Sequence, residues 1–260
     1  MTAVALTIAG SDPSGGAGLQ ADLKTFHQHG VYGMSVVTLL TVQNTQAVSE
    51  VKLLEAAFVE AQLRAVLEDI PPGAAKTGAL GGVEIIHAVA GAAADLDFPL
   101  IVDPVMISKH GDALIDQDAI AVLRDELLPR AFLVTPNIHE AAALARMEVT
   151  DPGSMEDAAR ALLELGPANV LIKGGSLQHD AVDVLLVAGE LHRFESPHIE
   201  SAHTHGTGCA YAAAITARLA RGEALLEAVP RAKRFITEAI GTAPHLGRGT
   251  GPTNLHAASG

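Results

Sequence analysis

The only cysteine of this 260-residue chain lies in HTHGTGCAYAAAITARLA, His203 to Ala220. His205-Gly206-Thr207-Gly208-Cys209 leads into an Ala-rich run of helical composition. The first-turn N–H groups of a helix have no partner within it and its dipole favours negative charge there, so this stretch reads as an anion cradle. Cys209 falls in that first turn, where the same field is expected to lower a thiol pKa from about 8.5. Two other readings compete. His203, His205 and Cys209 are metal-ligand types, but H-x-H-x3-C is not a structural zinc spacing and a fourth ligand is missing. Cys209 can also be a small helix residue and nothing more.

Other residues able to do chemistry stand just after apolar runs. VLIKGGS, Val170 to Ser176, ends a strand on Lys173 before two glycines, an arrangement that lets an ammonium and backbone approach a phosphate. IVDPVM places Asp103 at a strand end, and VTPNIHEAA sets Asn137 and Glu140 three residues apart at a helix opening. These oxygen-bearing side chains suit Mg²⁺ held through water. Asn137 and Glu140 equally suit a capping box, and the two readings are compatible. LTVQNTQ ends on Gln43, whose amide can both donate to and accept from a heteroaromatic edge carrying an amine beside a ring nitrogen. Its plainer reading is a turn former. AGSDPSGGAGLQADL, Ala9 to Leu23, is a glycine-rich strand-to-helix turn that fails the P-loop pattern, because Gly16 stands where Lys is required. Asp22, inside the helix that follows, would ordinarily be solvated.

The elements that must position these residues follow from periodicity. Apolar runs bounded by Gly, Pro or Asp alternate with Ala- and Leu-rich segments of helical period, the pattern of a mostly parallel sheet with crossover helices. Strands are predicted over Val4–Ala9, Ser35–Val42, Ala74–Thr77, Leu100–Asp103, Phe132–Thr135 and Asn169–Lys173, then a hairpin over Val182–Val187 and Leu191–Phe194. Helices are predicted near Gly16–His29, Leu54–Leu67, Val83–Ala93, Asp116–Leu127, Ile138–Ala145, Met155–Leu165, Gly208–Arg221 and Glu223–Ile240. TDPGS opens one of them, with Ser154 as the N-cap. No repeat, low-complexity tract or charge block divides the chain, so a single domain over residues 1–260 is expected.

Composition narrows the partners. Hydrophobic residues make up 48% and aromatics 3%, with no Trp, which gives an aliphatic core and no stacking platform for single-stranded nucleic acid. A formal charge of −13 argues against a polyanionic macromolecule, which needs clustered Lys and Arg. A small anion remains compatible. The apolar N-terminus is too short to cross a bilayer and lacks a basic flank, so it reads as a buried first strand. A lone cysteine suits the reducing cytoplasm.

Taken together, AGSDPSGGAGLQADLKTF, VQNT, KTGAL, DPVM, TPNIHEA, KGG and HGTGC, in this order and at these spacings, closely resemble the hydroxymethylpyrimidine/phosphomethylpyrimidine kinases of thiamine biosynthesis, a branch of the ribokinase-like superfamily. The resemblance covers essentially the whole chain. It implies a Rossmann-type three-layer α/β/α sandwich with little or no lid, a kinase using ATP and Mg²⁺, a cytoplasmic homodimer, and no nucleic acid or membrane partner. It also implies roles. Cys209, with Gly206, Thr207 and Gly208, is catalytic, standing where many sugar kinases of the superfamily have an Asp base. Gln43 reads the pyrimidine, with Gly10, Asp22 and Val105 lining its pocket. Lys173, Asn137 and Thr207 serve the nucleotide, and Asp103 and Glu140 hold Mg²⁺ through water. The chain departs from the pattern at Ala79, where relatives often have Met, and at Val42, where Ala is common. A pyridoxal or pyridoxine kinase and a non-catalytic pyrimidine-binding relative are the alternatives. An NAD-linked dehydrogenase is disfavoured because G-x-G-x-x-G is absent.

Overall fold

In the computed structural model, which describes residues 2–106, 115–175, 177 and 181–260, the apolar runs become strands of one nine-stranded sheet. They are β1 (Val4–Ser11), β2 (Tyr32–Gln43), β3 (Val48–Leu53), β4 (Ala74–Thr77), β5 (Leu100–Val102), β6 (Leu133–Val134), β7 (Val170–Ile172), β8 (Ala181–Val187) and β9 (Glu190–Ser196). Their order is β3-β2-β1-β4-β5-β6-β7-β8-β9. The run from β2 to β7 is parallel, while β3, β8 and their neighbours pair antiparallel. The chain steps outward from β1 in one direction to β2 and then in the other to β4. That reversal opens a crevice at the carboxyl ends of β1 and β4, the place where open α/β sheets bind ligands.

The helices are α1 (Gly18–Gln28), α2 (Ala56–Asp69), α3 (Val83–Ala93), α4 (Gln117–Val122), α5 (Ile138–Ala145), α6 (Pro152–Leu163), α7 (Thr207–Ala220) and α8 (Leu225–Gly241). Alternation along the strands divides the core into two sides. Ile8, Val102, Val134 and Ile172 face α2 to α6, whereas Ala74, Ile101, Leu133 and Leu171 face α7 and α8. The result is the three-layer sandwich, with a mostly parallel sheet buried on both faces. Helix α7 is crowded on every side. Ala210, Ala212, Ala213, Ala214 and Ala217 are all fully buried, because α7 is wedged between the sheet, α1 and α8. Small side chains are what permit that approach.

Three local expectations need correction. No strand was predicted at β3, an edge strand whose residues are almost all exposed, so neither burial pattern marks VSEVKL. The helix expected over Asp116–Leu127 is instead α4, capped by Asp116 accepting from the Ala119 amide, followed by a π turn at Leu123–Leu127 and a 3-10 turn at Leu128–Arg130. Pro129 supplies no N–H, and the ladder widens and then tightens around it. The N-cap of α6 is Asp151, not Ser154. Asp151 accepts from Gly153 and Ser154 N–H, and the Ser154 hydroxyl closes the box by accepting from Asp151 N–H.

Beyond α8 the chain returns to the crevice as an irregular strap. Gly251 O accepts from His205 N–H at 3.0 Å, Thr253 N–H donates to His205 O at 3.3 Å, and Gly249 N–H donates to the Thr45 hydroxyl in the turn between β2 and β3. The last carbonyls, of Ser259 and Gly260, accept from the buried Arg218 guanidinium.

Candidate active site

Two helix N-termini meet at the crevice. Gly18 begins α1 at φ +57°, and its amide favours the ionised form of the Cys209 thiol in the first turn of α7. The turn before α7 is equally demanding. Gly206, the N-cap, sits at φ +79°, and a Cβ there would overlap the Gly16 carbonyl, so only glycine brings the two turns into contact. The Thr207 hydroxyl donates to Thr204 O at 2.8 Å and fixes the entering loop.

Beneath the thiol lies a pair the sequence reading did not place. Asp22 is fully buried, not solvated, and its Oδ2 accepts from Lys76 Nζ at 2.8 Å and from the Thr7 hydroxyl at 2.6 Å. Burial acts on the partners in opposite senses, pushing the Asp22 carboxyl up while opposing the Lys76 ammonium. Asp22, Cys209 and Asp103 together outweigh that opposition and raise Lys76. Two donors converging on one oxygen favour the charged pair. The available signal was Lys76 itself, a cation within the short strand AAKT between β1 and β5 of the sheet, which cannot be buried without an anionic partner.

The Cys209 thiol corrects the expectation of activation. Burial pushes it up to about 11, reinforced by Asp22 and Asp103, and the Lys76 charge and the Gly18 amide only partly offset this. A desolvated thiolate beside two carboxylates costs more than one helix terminus returns.

Lys173 closes the other side. Its Nζ lies 2.8 Å from Asp103 Oδ1, which also accepts from the Thr135 hydroxyl at 3.2 Å. A Cβ on Gly208 would come within 3.3 Å of that Nζ, so the ammonium stands directly over the mouth of α7. Asn137 caps α5, accepting from His139 and Glu140 N–H, while Glu140 Oε2 accepts from Asn137 N–H, completing the capping box. Burial, then Asp103, pushes Glu140 up to about 7 against the pull of Lys173. Val105 is half-buried just past Asp103 and donates to its carbonyl.

Gln43 joins the site through a histidine. Its amide nitrogen is 3.1 Å from His205 Nε2, which in turn lies 2.8 Å from Asp12 Oδ2. Asp12 also accepts from the amides of Ser14 and Ala17, so one carboxylate ties the turn after β1 to the turn before α7. Burial opposes this carboxylate, yet the His205 and Ser14 bonds bring its pKa below the usual range. Gly10, near the end of β1, packs against Leu39, where a side chain would clash. His203 stacks edge-on against His245 at 4.5 Å, and among the described residues no cluster of three His, Cys, Asp or Glu fit to hold a metal occurs. The structure therefore does not assemble the His203–His205–Cys209 metal arrangement.

The sequence pattern of the phosphomethylpyrimidine kinase family matches residues 12–254. A hydroxymethylpyrimidine/phosphomethylpyrimidine kinase of Synechococcus elongatus is 49% identical over 251 residues, covering 96% of this chain and 95% of its own length. The thiamine biosynthesis bifunctional protein ThiED of Geobacter sulfurreducens is 52% identical over 96% of this chain, which spans only 51% of that longer protein. Among solved structures, the ADP complex of Bacillus subtilis pyridoxal kinase superposes with a TM-score of 0.91 at 39% identity, covering 99% of this chain and 98% of that one. With crevice, paired helix mouths and full-length sequence agreement in accord, the chain belongs to the phosphomethylpyrimidine kinase family.

Proposed function

We propose that residues 1–260 act as one domain that transfers a phosphoryl group from ATP to the hydroxymethyl oxygen of 4-amino-5-hydroxymethyl-2-methylpyrimidine, and then a second one to the monophosphate. The observation that carries this is the mouth of α7, with Lys173 above it and Gln43 linked to it through His205. In this reading the amides of Gly206 to Cys209 and the Lys173 ammonium meet charge on the transferring phosphoryl group. Gln43 holds the pyrimidine edge, in a pocket shared with Gly10, Asp22 and Val105. Asn137 and Thr207 serve the nucleotide.

The substrate oxygen forms its bond to the γ-phosphorus as the bond from phosphorus to the bridging oxygen breaks, leaving ADP. A neutral thiol is a poor base, so Cys209 acts by orienting the hydroxyl. In a loose transition state the hydroxyl proton leaves late, onto an oxygen of the transferred group.

The acidic residues fit Mg²⁺ held through water. Asp103 Oδ2 is buried without a hydrogen-bond partner among the described residues, and Glu140 is raised to about 7 by burial first and by Asp103 second, both of which a bound cation would offset. When bound, the ion supplies positive charge to the phosphate oxygens. We extend the proposal to a cytoplasmic homodimer. Among the described residues no helix is long and apolar enough to cross a membrane, and the β2–β3 hairpin leaves Leu40, Val42, Val51 and Leu53 exposed.

The test is turnover of the purified protein with ATP, Mg²⁺ and the hydroxymethylpyrimidine, followed by mass spectrometry of the mono- and diphosphate. Absence of both products refutes the reading. The likeness to a pyridoxal kinase structure favours a second reading, phosphorylation of pyridoxal, which a comparison of kcat/KM on the two substrates decides. Gln43→Leu is expected to raise KM for the pyrimidine by about tenfold or more, since a buried ring amine loses a partner at roughly 1–3 kcal/mol. An unchanged KM would place the ring elsewhere.

A further inference from the structure

Asp183, on β8, carries none of the motifs of the site, yet two segments of the candidate site and helix α8 converge on it. Its Oδ1 accepts from Gly174 N–H at 2.9 Å, and its Oδ2 accepts from the Tyr211 hydroxyl at 2.9 Å and from Lys233 Nζ at 2.7 Å. All four residues are buried. Gly174 follows Lys173, and Tyr211 lies two residues beyond Cys209, so the same carboxylate grips the strand end that carries the ammonium and the helix whose mouth faces it. On its other side Lys173 N–H donates to Pro136 O at 2.8 Å, which leaves the strand end little freedom to shift. A Cβ on Gly174 would overlap the Val182 carbonyl, so this contact also depends on glycine. Burial and then Asp183 raise the Tyr211 phenol well above its ordinary range, keeping it a donor at every pH of interest.

We propose that Asp183 is a positioning residue for phosphoryl transfer: by holding Gly174 and Tyr211 at once it sets the separation between the Lys173 ammonium and the α7 helix mouth. The proposal rests on the kinase reading of the site. A buried carboxylate with three donors is an expensive way to fill space, since an apolar residue of similar volume would pack β8 against α7 and α8 without the desolvation cost. Its geometric effect is specific. The two groups it fastens belong to segments far apart in sequence, and both face the place where charge develops. Misplacement of a catalytic group by about 1 Å can cost on the order of 100-fold in rate.

The experiment compares the wild-type chain with Asp183→Asn, Tyr211→Phe and the double variant. Melting temperature is measured, and kcat is normalised to the folded fraction. Tyr211→Phe removes only the link to α7 and is the variant least prone to misfold. The expected result is a kcat loss of roughly 5- to 10-fold for Tyr211→Phe and about 10- to 100-fold for Asp183→Asn, with KM for the pyrimidine within about twofold of wild type. The double variant is expected to be no slower than Asp183→Asn, because both changes cut the same tether. A purely structural role would lower the melting temperature and leave normalised kcat unchanged, and that result overturns the proposal. If Asp183→Asn does not fold, an unchanged kcat for Tyr211→Phe overturns it alone and a selective kcat loss supports it. An inactive wild type refutes the kinase reading instead. An active wild type whose Lys173→Ala variant keeps full turnover shows that Lys173 does not serve transfer, and the proposal falls with it.

Discussion

A cysteine in the first turn of a helix is commonly an activated nucleophile, and the sequence around Cys209 invites that reading. Geometry reverses it, because the sulfur is desolvated beside Asp22 and Asp103, and its pKa rises to about 11. Iodoacetamide at pH 8 is therefore expected to alkylate Cys209 more than tenfold slower than an ordinary free thiol, with the rate still climbing above pH 9. Mass-spectrometric kinetics check this, and fast labelling would show a thiolate. Cys209→Ala should lower kcat by about 10- to 100-fold through loss of orientation while leaving ATP affinity within about twofold. Glu140 carries its own pH signature. Its folded pKa of about 7 lies above the ordinary 4.5, so the folded state binds this proton more tightly. Its contribution to stability is full below 4.5 and is lost as pH rises through 7. Magnesium should accordingly raise the melting temperature more at pH 8 than at pH 6. Equal shifts at both pH values in the wild type, or an unaltered response in Glu140→Gln, would contradict this role.

At the scale of elements, the mouth of α7 depends on a turn no other residue type can make. Gly206→Ala imposes a positive φ on a side chain and drives it into the Gly16 carbonyl. Strain of roughly 1–3 kcal/mol is expected, relieved by retreat of the α7 mouth, so kcat should fall about 100-fold for a loss of only several degrees in melting temperature. A parallel loss at Gly222→Ala, which is also at positive φ but has open space around it, would remove the specificity of the argument. The buried strands and most helices were legible because apolar runs and helical period report burial directly. Edge strand β3 was not, because a strand exposed along nearly its whole length carries no burial pattern. The π turn at Leu123–Leu127 was equally hidden, since periodicity does not reveal a single widened hydrogen-bond ring.

Across the whole molecule, what the sequence could not convey was pairing over distance. The motifs were readable as segments, but the Lys76–Asp22, Lys173–Asp103 and His205–Asp12 contacts join positions 54, 70 and 193 residues apart. Only the folded sheet brings them together, which is why Lys76 and Asp183 went unplaced while Cys209 and Gln43 did not. The same holds for His29, buried edge-on against Phe235 at 4.8 Å where α1 meets α8. Burial pulls its pKa down to about 4, and Arg218 and Arg221 add to this against the Thr25 carbonyl and Glu223. A folded value below the unfolded 6.5 means that its contribution is complete above 6.5 and is lost as pH falls through 4. His29→Phe should therefore flatten the decline in melting temperature between pH 6.5 and 4, and an unaltered slope would assign that decline to other groups.

The terminal strap has a consequence for how the enzyme comes into being. His205 pairs through its backbone with Gly251 and Thr253, and Leu255 and Ala257 of the same strap are buried beside α7 and α8, so the loop entering α7 takes its final place only after the residues beyond α8 have been made and have folded back across it. A cut just after α8 is expected to loosen that loop and the core beneath it together, because the same strap supplies Leu255 and Ala257 to the packing around α7 and α8.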